Sequence, residues 1–359
     1  MTGPLGGLAS QSVKSLGPSA ALVSVLPSAV VVLTAFALNA SGLYPGSTQR
    51  VVVDGTPVDA GWASIAQKVQ TVDLSTGILL GLIVVVLAVM LRPLQIALVQ
   101  LLEGHWYGAG FVPFEAVLVE YHLRRLSKHR AMSSRPQVWS SGDAGDYSFA
   151  LVASREAMNR RIGRRSQRGA RIVADYPRQS VHVMPTRLGN VLRRAETSAG
   201  ERYGLDTVLV YRRLYPFLSD RLHAALAVRF DVLDTMATFV IVFAVQAAIS
   251  LPVAASGTWW WPLPLVFGGL AVIAYSGALA TARRHGELLH SAFDLHRFDL
   301  YAGLHHELPA TPSRERELNQ AWSDFLRDRA QSPTPRYHHV DGARGSSRSA
   351  EPPVTVAEE

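Results

Sequence analysis

LSTGILLGLIVVVLAVML, Leu74 to Leu91, is the stretch on which the fold turns. It passes without a charge, and an apolar run of that length spans a bilayer rather than filling a soluble core. Three more runs share the property: Ala20 to Ala40, Thr235 to Thr258 and Trp259 to Ala282. Together they predict an all-α integral membrane protein, with four transmembrane helices carrying a mainly α-helical cytosolic region.

Upstream of Leu74, residues 41–73 read as a polar outer loop with Arg50 and Lys68 against Asp54, Asp59 and Asp73. Within it VVVDGTPVDA predicts a small hairpin turning near Asp54-Gly55, a pair that tolerates positive backbone angles. The first apolar run, residues 20–40, reads as a first span. Lys14 before it and Ala35-Phe36-Ala37 near its end also fit a cleavable signal; its length fits a retained helix, in which Pro27 is tolerated. Residues 1–19, rich in Gly, Ser and Pro, read as a mobile N-terminus. Downstream, Arg92 can snorkel to phosphate level. Leu94, Leu98, Leu101 and Leu102 keep helical spacing past Pro93, so the helix is expected to continue, kinked.

Charge sets the orientation. Residues 92–231 hold 22 arginines and lysines against 12 acids, while the outer loop has one acid more than it has bases. Arg92, Arg221, Arg229, Arg283 and Arg284 flank three of the runs, which predicts a multi-pass protein of the cytoplasmic (inner) membrane with both termini cytoplasmic. The formal charge of +7 does not call for nucleic acid. Only Lys14, Lys68 and Lys128 among the 35 basic residues are lysine, an arginine bias that GC-rich coding produces whatever the function. A bilayer, with anionic lipid or a cytosolic protein as a further partner, is the stronger reading than an unspecific polyanion. The absence of cysteine excludes disulfides, thiolate metal sites and cysteine nucleophiles.

Within the cytosolic region EAVLVEYHLRRLSKHR, Glu115 to Arg130, predicts an amphipathic helix. Met132 to Asp146 reads as a linker, and Phe149 to Pro177 carries the arginine run NRRIGRRSQRGAR, fit for a solvated face or an anionic bilayer surface. Val181 to Met184 reads as one β-strand. The densest punctuation lies in PTRLGNVLRRAETSAGERYGLDTVLVYRRLYP, Pro185 to Pro216. Thr186 is expected to cap a helix from Arg187 with Leu188, Val191, Leu192 and Ala195 buried, ended by Gly204. Asp206 caps a second helix, Thr207 to Tyr215. Ser219 starts a third that runs into the membrane. The best anion or partner site that can be built here is the N-terminus of the Arg187 helix: Thr186, Arg187 and Asn190, with Arg193 and Arg194. Arginines paired with Glu196 and Glu201 are the plainer alternative.

In the third span, with its outer turn at residues 232–258, Asp234 lies in the first turn, with Arg229 and Arg221 as candidate partners, and Gln246 sits near mid-span, where it reads as interhelical glue. Trp259, Trp260 and Trp261 fit an aromatic belt, and Gly268, Gly269, Ala274, Ala278 and Ala282 give the fourth span, 259–282, a small-residue seam. Residues 283–330 read as a cytosolic extension. There the fourth span continues as a helix, and Thr311-Pro312 starts another with Leu318, Ala321, Trp322, Phe325 and Leu326 as its apolar face. Residues 331–359 read as disordered.

Chemistry is sparse. Glu287-x-x-His290 has the spacing used in di-iron bundles but lacks the second copy those require. There is no phosphate loop and no nucleophile elbow. No catalytic, metal or cofactor residues are nominated, no cofactor is expected, and the chain reads as a non-enzyme. PTRLGN, AE, YGLD and RLYP in that order, with LLEGHWYG and FDLHRFDLY, resemble a family of multi-span membrane proteins of high-GC actinobacteria whose function is not known. The resemblance covers most of Leu74 to Leu326 and implies a topology without an activity. The layout is also similar to that of bestrophin-type chloride channels, in architecture only. The leading expectation is a membrane-anchored scaffold or sensor whose basic cytosolic region binds a partner or anionic lipid. A homo-oligomeric channel stands second and a membrane-lipid enzyme third.

Overall fold

The computed structural model describes residues 18–43, 52–53, 56–57, 61–106, 111–134, 149–254 and 260–327. The linker expected at Met132 to Asp146 falls almost wholly outside these residues, as do residues 1–17 and the tail. Two compact units emerge: Met1–Ala199 with Ser219–Ser291, and Gly200–Leu218 with Ala292–Glu359.

The first unit is built on long apolar helices. Asp73 starts α3 (Leu74–Glu103) by accepting the Thr76 amide at 3.0 Å and the Ser75 hydroxyl at 2.6 Å. Those hydrogen bonds hold its carboxyl low, at about 2. The helix passes through Pro93 without ending, as the leucine spacing indicated. It stops at Gly104, whose left-handed backbone lets His105 N–H reach the Gln100 carbonyl at 3.0 Å. α8 (Asp220–Ile249) and α10 (Leu263–Gly303) join α3 as helices long and apolar enough to cross a membrane. α1 (Pro18–Ser41) is apolar as well and packs on both α3 and α8. Along α3, Ile78, Leu82, Val85 and Val89 are exposed. So long an apolar surface has no place in water, and it marks the chain as a membrane protein.

One end of these helices is closed by tryptophan. α2 (Trp62–Gln70) is tied to the end of α1 by Gly61 N–H to Ser41 at 3.0 Å and by the Ser64 hydroxyl to Ala40 at 2.6 Å. Gly61 has φ 127°, and any β-carbon there would strike the Trp260 indole. Leu38, Leu43 and Val253 pack beneath Trp260 and Leu263. A two-residue ladder, β1 (Val52–Val53) with β2 (Thr56–Pro57), pairs Val53 with Thr56 around the expected turn, whose own residues lie outside the described set. The helix from Ser219 runs unbroken to Ile249, and α9 (Leu251–Ala254) follows.

At the opposite end lies α6 (Arg187–Ser198), the helix that Thr186 caps at 3.0 Å through Gly189 N–H. Leu188, Val191, Leu192 and Ala195 are buried as their spacing requires. The first three pack against Leu233 of α8, Ala278, Leu279 and Ala282 of α10, and Leu102 of α3. α4 (Val112–Ser133) and α5 (Phe149–Val173) form a helical pair closed over Leu126, Tyr176 and Val183. The strand expected at Val181 to Met184 is not formed. Ser180–His182 is a 3-10 turn, and Met184 takes its backbone hydrogen bonds from the Asn190 amide, N–H at 2.9 Å and C=O at 2.8 Å, in place of a partner strand.

The second unit buries polar groups beside an apolar core that includes Val210, Leu214, Phe293 and Leu300. α6 already ends at Ser198, and Gly204 (φ 78°) closes a separate 3-10 turn, Glu201–Tyr203, instead of ending the helix. Asp206 caps α7 (Thr207–Leu214), and Thr311 caps α11 (Pro312–Leu326). The buried face of α11 is Glu315, Asn319, Trp322 and Ser323, whereas Phe325 is exposed. Trp322 of the expected apolar stripe is buried, and hydrogen-bonded polar groups share its face. Tyr301 donates to Asn319 at 2.6 Å, Asn319 donates to the Tyr203 carbonyl at 2.7 Å, and Arg297 pairs with Glu315 at 2.9 Å.

Candidate functional site

The residues nominated at the start of α6 are brought together, but mainly as joinery. The Thr186 hydroxyl donates to the Glu103 carbonyl at 2.9 Å, which fixes the cap of α6 to the last turn of α3. Gly189 faces the same carbonyl so closely that a β-carbon would collide with it. Asn190 is fully buried, its amide shared between Met184 and the Thr186 carbonyl. The amides an anion would need are engaged: Leu188 N–H with the Tyr275 hydroxyl at 3.1 Å, Gly189 N–H with Thr186. Arg193 pairs with Glu196 at 3.3 Å. The Leu188 and Gly189 amides of the helix N-terminus are therefore spent on the fold.

Arg187 leads elsewhere. It meets Asp175 at 3.2 Å, and Arg283 of α10 grips the same carboxylate with two nitrogens at 2.7 and 2.8 Å. Asp175 is buried, at 6% exposure. A bidentate arginine on a buried carboxylate is among the strong charge-assisted contacts, and truncating one partner would strand the other. Around this staple, between the end of α5, one side of α6 and α10, lies a cavity of about 560 Å³. Its floor is Val191, Ala195, Ala282 and Gly286, and Arg171 and Arg194 also line it. Ser198 and His290 close it off, hydroxyl to ring nitrogen 3.0 Å.

Known proteins supply no guide to this site. No family model, no curated protein and no solved structure matches the chain.

A second polar group sits beside α6. Glu103, buried, lies 3.1 Å from His105, and Glu196 is near both. Burial raises the Glu196 carboxyl to about 7; Glu103 pushes in the same direction, while Arg193 and His105 oppose it. Asp234 has no ion pair among the described residues, so neither Arg229 nor Arg221 serves it there; its carbonyl accepts the Thr238 hydroxyl at 2.8 Å. Gln246, 4% exposed, donates to Thr34 of α1 at 2.5 Å and to the Val30 carbonyl at 3.3 Å. Among the described residues no cluster of side chains suits a metal ion. Asp175, Arg283 and Glu103 carry much of this geometry, and sequence reasoning did not assign them a site. Arg283 was visible only as a span flank, and nothing local marks Asp175.

Proposed function

We propose that the chain is a four-span anchor of the cytoplasmic membrane, both termini cytoplasmic, whose basic helical region lies on the anionic inner surface and presents itself to a partner there. The observation that carries this reading is the outer side of α4. Phe111, Phe114, Val117 and Tyr121 are exposed at roughly helical spacing, followed by Arg124, Arg125, Lys128 and Arg130. Apolar and aromatic groups on one side with cations behind them suit the headgroup boundary of an anionic leaflet. Continuity with the spans supports the same placement. Trp106 stacks on Phe114 at 5.2 Å and donates to the Leu101 carbonyl at 2.9 Å, so the start of α4 is folded against the apolar last turns of α3.

The fourth span in this reading is α1. Its 24 residues reach about 36 Å, and its link through Thr34 to Gln246 supports reading it as a retained helix. Absence of cysteine makes a spin label at Val117→Cys unique in the full chain. In nanodiscs containing phosphatidylglycerol the label should be reached by oxygen and shielded from a water-soluble relaxant, with the shielding reduced in phosphatidylcholine alone. A label equally open to water in both would overturn the reading.

A further inference from the structure

We infer that the cavity between α5, α6 and α10 is a binding site for a phosphomonoester dianion. Four arginines line it, Arg171, Arg187, Arg194 and Arg283, against two acids, Asp175 and Glu287. Two of those arginines are already fixed. Asp175 engages Nε and one Nη of Arg283 and a single Nη of Arg187, so both guanidiniums keep N–H groups that no described residue takes. Arg171 makes no hydrogen bond or ion pair among the described residues, yet it lines the same space. An arginine held by a buried carboxylate loses little further side-chain freedom on meeting an anion, and its planar fork matches phosphate oxygens.

The staple alone does not account for these facts. A purely structural Asp175 pairing would need Arg187 and Arg283 and could close around them; it needs neither Arg171 nor open volume beside it. The volume falls within the usual range for small-ligand sites. Its floor of Val191, Ala195, Ala282 and Gly286 favours an ester with an apolar or uncharged body over bare phosphate. Such an ester can be a soluble metabolite or the headgroup of a lipid. This assignment is independent of how α4 meets the bilayer.

The full chain in nanodiscs tests it in two arms. Phenyl phosphate is titrated into phosphatidylcholine discs, and separately phosphatidic acid is built into the discs, with the melting midpoint as the readout. A saturable rise in the first arm assigns a soluble ester, and one confined to the second assigns a lipid phosphate. In either case the double variant Arg171→Gln, Arg194→Gln should weaken the effect at least about tenfold. Arg164→Gln, an exposed arginine of α5 outside the cavity, should leave it unchanged. No rise in either arm overturns the site, and so does an equal loss in the double variant and Arg164→Gln. Arg171 is exposed and unengaged, so its replacement leaves the Asp175 staple intact.

Discussion

α3 and α8 are each 30 residues long, and both can cross a bilayer, yet they are opposites in composition. α3 is the more apolar and buries only Ala88 and Glu103. α8 is less apolar and buries Leu226, Leu233, Thr235, Ala237, Thr238, Val240, Val242 and Gln246. In a soluble protein the more apolar helix would be the inner one. In lipid there is no such drive, since acyl chains solvate leucine as well as another helix does; contacts between helices are made by small and polar groups instead. α8 has them: Thr238 bonded within the helix, Gln246 bonded to a neighbour, Ala237 fully buried. α3 presents its broad apolar side outward, and its polar contact comes at the last turn, where Glu103 receives Thr186.

The sharpest way to break this contrast is a matched pair of truncations. Leu233→Ala, in the seat of α6, should cost about 2–5 kcal/mol because the cavity it leaves is walled by α6 and α10. Leu82→Ala on the exposed face of α3 should cost well under 1 kcal/mol, lipid filling the gap. Melting in detergent reads both, and equal losses would mean α3 is covered by something other than acyl chains. Next in size is the pH response where α3 meets α6. Glu196 titrates near 7 when folded against an ordinary value of 4.5, so the folded state holds a proton that the unfolded state has released. Stability is therefore greatest below about pH 4.5 and is lost as pH rises through 7, by up to about 3 kcal/mol. Glu196→Gln should remove that slope between pH 5 and pH 8; a slope that persists assigns it to other groups. Smallest is Gln246→Leu, expected to cost about 0.6 kcal/mol and at most about 1.7 kcal/mol, the average and the maximum measured for hydrogen bonds between membrane helices. A larger loss would show that α1 depends on this one side chain.

What the chain discloses in sequence is what it encodes locally. Thr186, Asp206 and Thr311 were legible as caps because each bonds an amide three residues on. The apolar stripe of α6 was legible because helical period and burial coincide. Asp175 was not, since its grip on Arg283 spans 108 residues of sequence and no short pattern announces it. Val181 to Met184 misled because β-branched residues with valine alternation imply a ladder, while Asn190 supplies the same two hydrogen bonds from a side chain. α11 was legible in part: Trp322 is buried as its spacing indicated, but Asn319 and Glu315 are buried with it because they find partners in Tyr301, Tyr203 and Arg297.

The bond between Thr34 and Gln246 bears on the order in which the protein is made. Its partners are 212 residues apart, and α1 leaves the ribosome long before α8 exists. A lone hydroxyl in hydrocarbon would be a burden during that interval, but Thr34 donates its proton to the Val30 carbonyl one turn back at 2.6 Å and is content as a solitary helix. Only its oxygen lone pairs remain on offer. In the four-span reading proposed above, α1 can thus wait in the bilayer without penalty and still carry a mark by which the later helix recognises it.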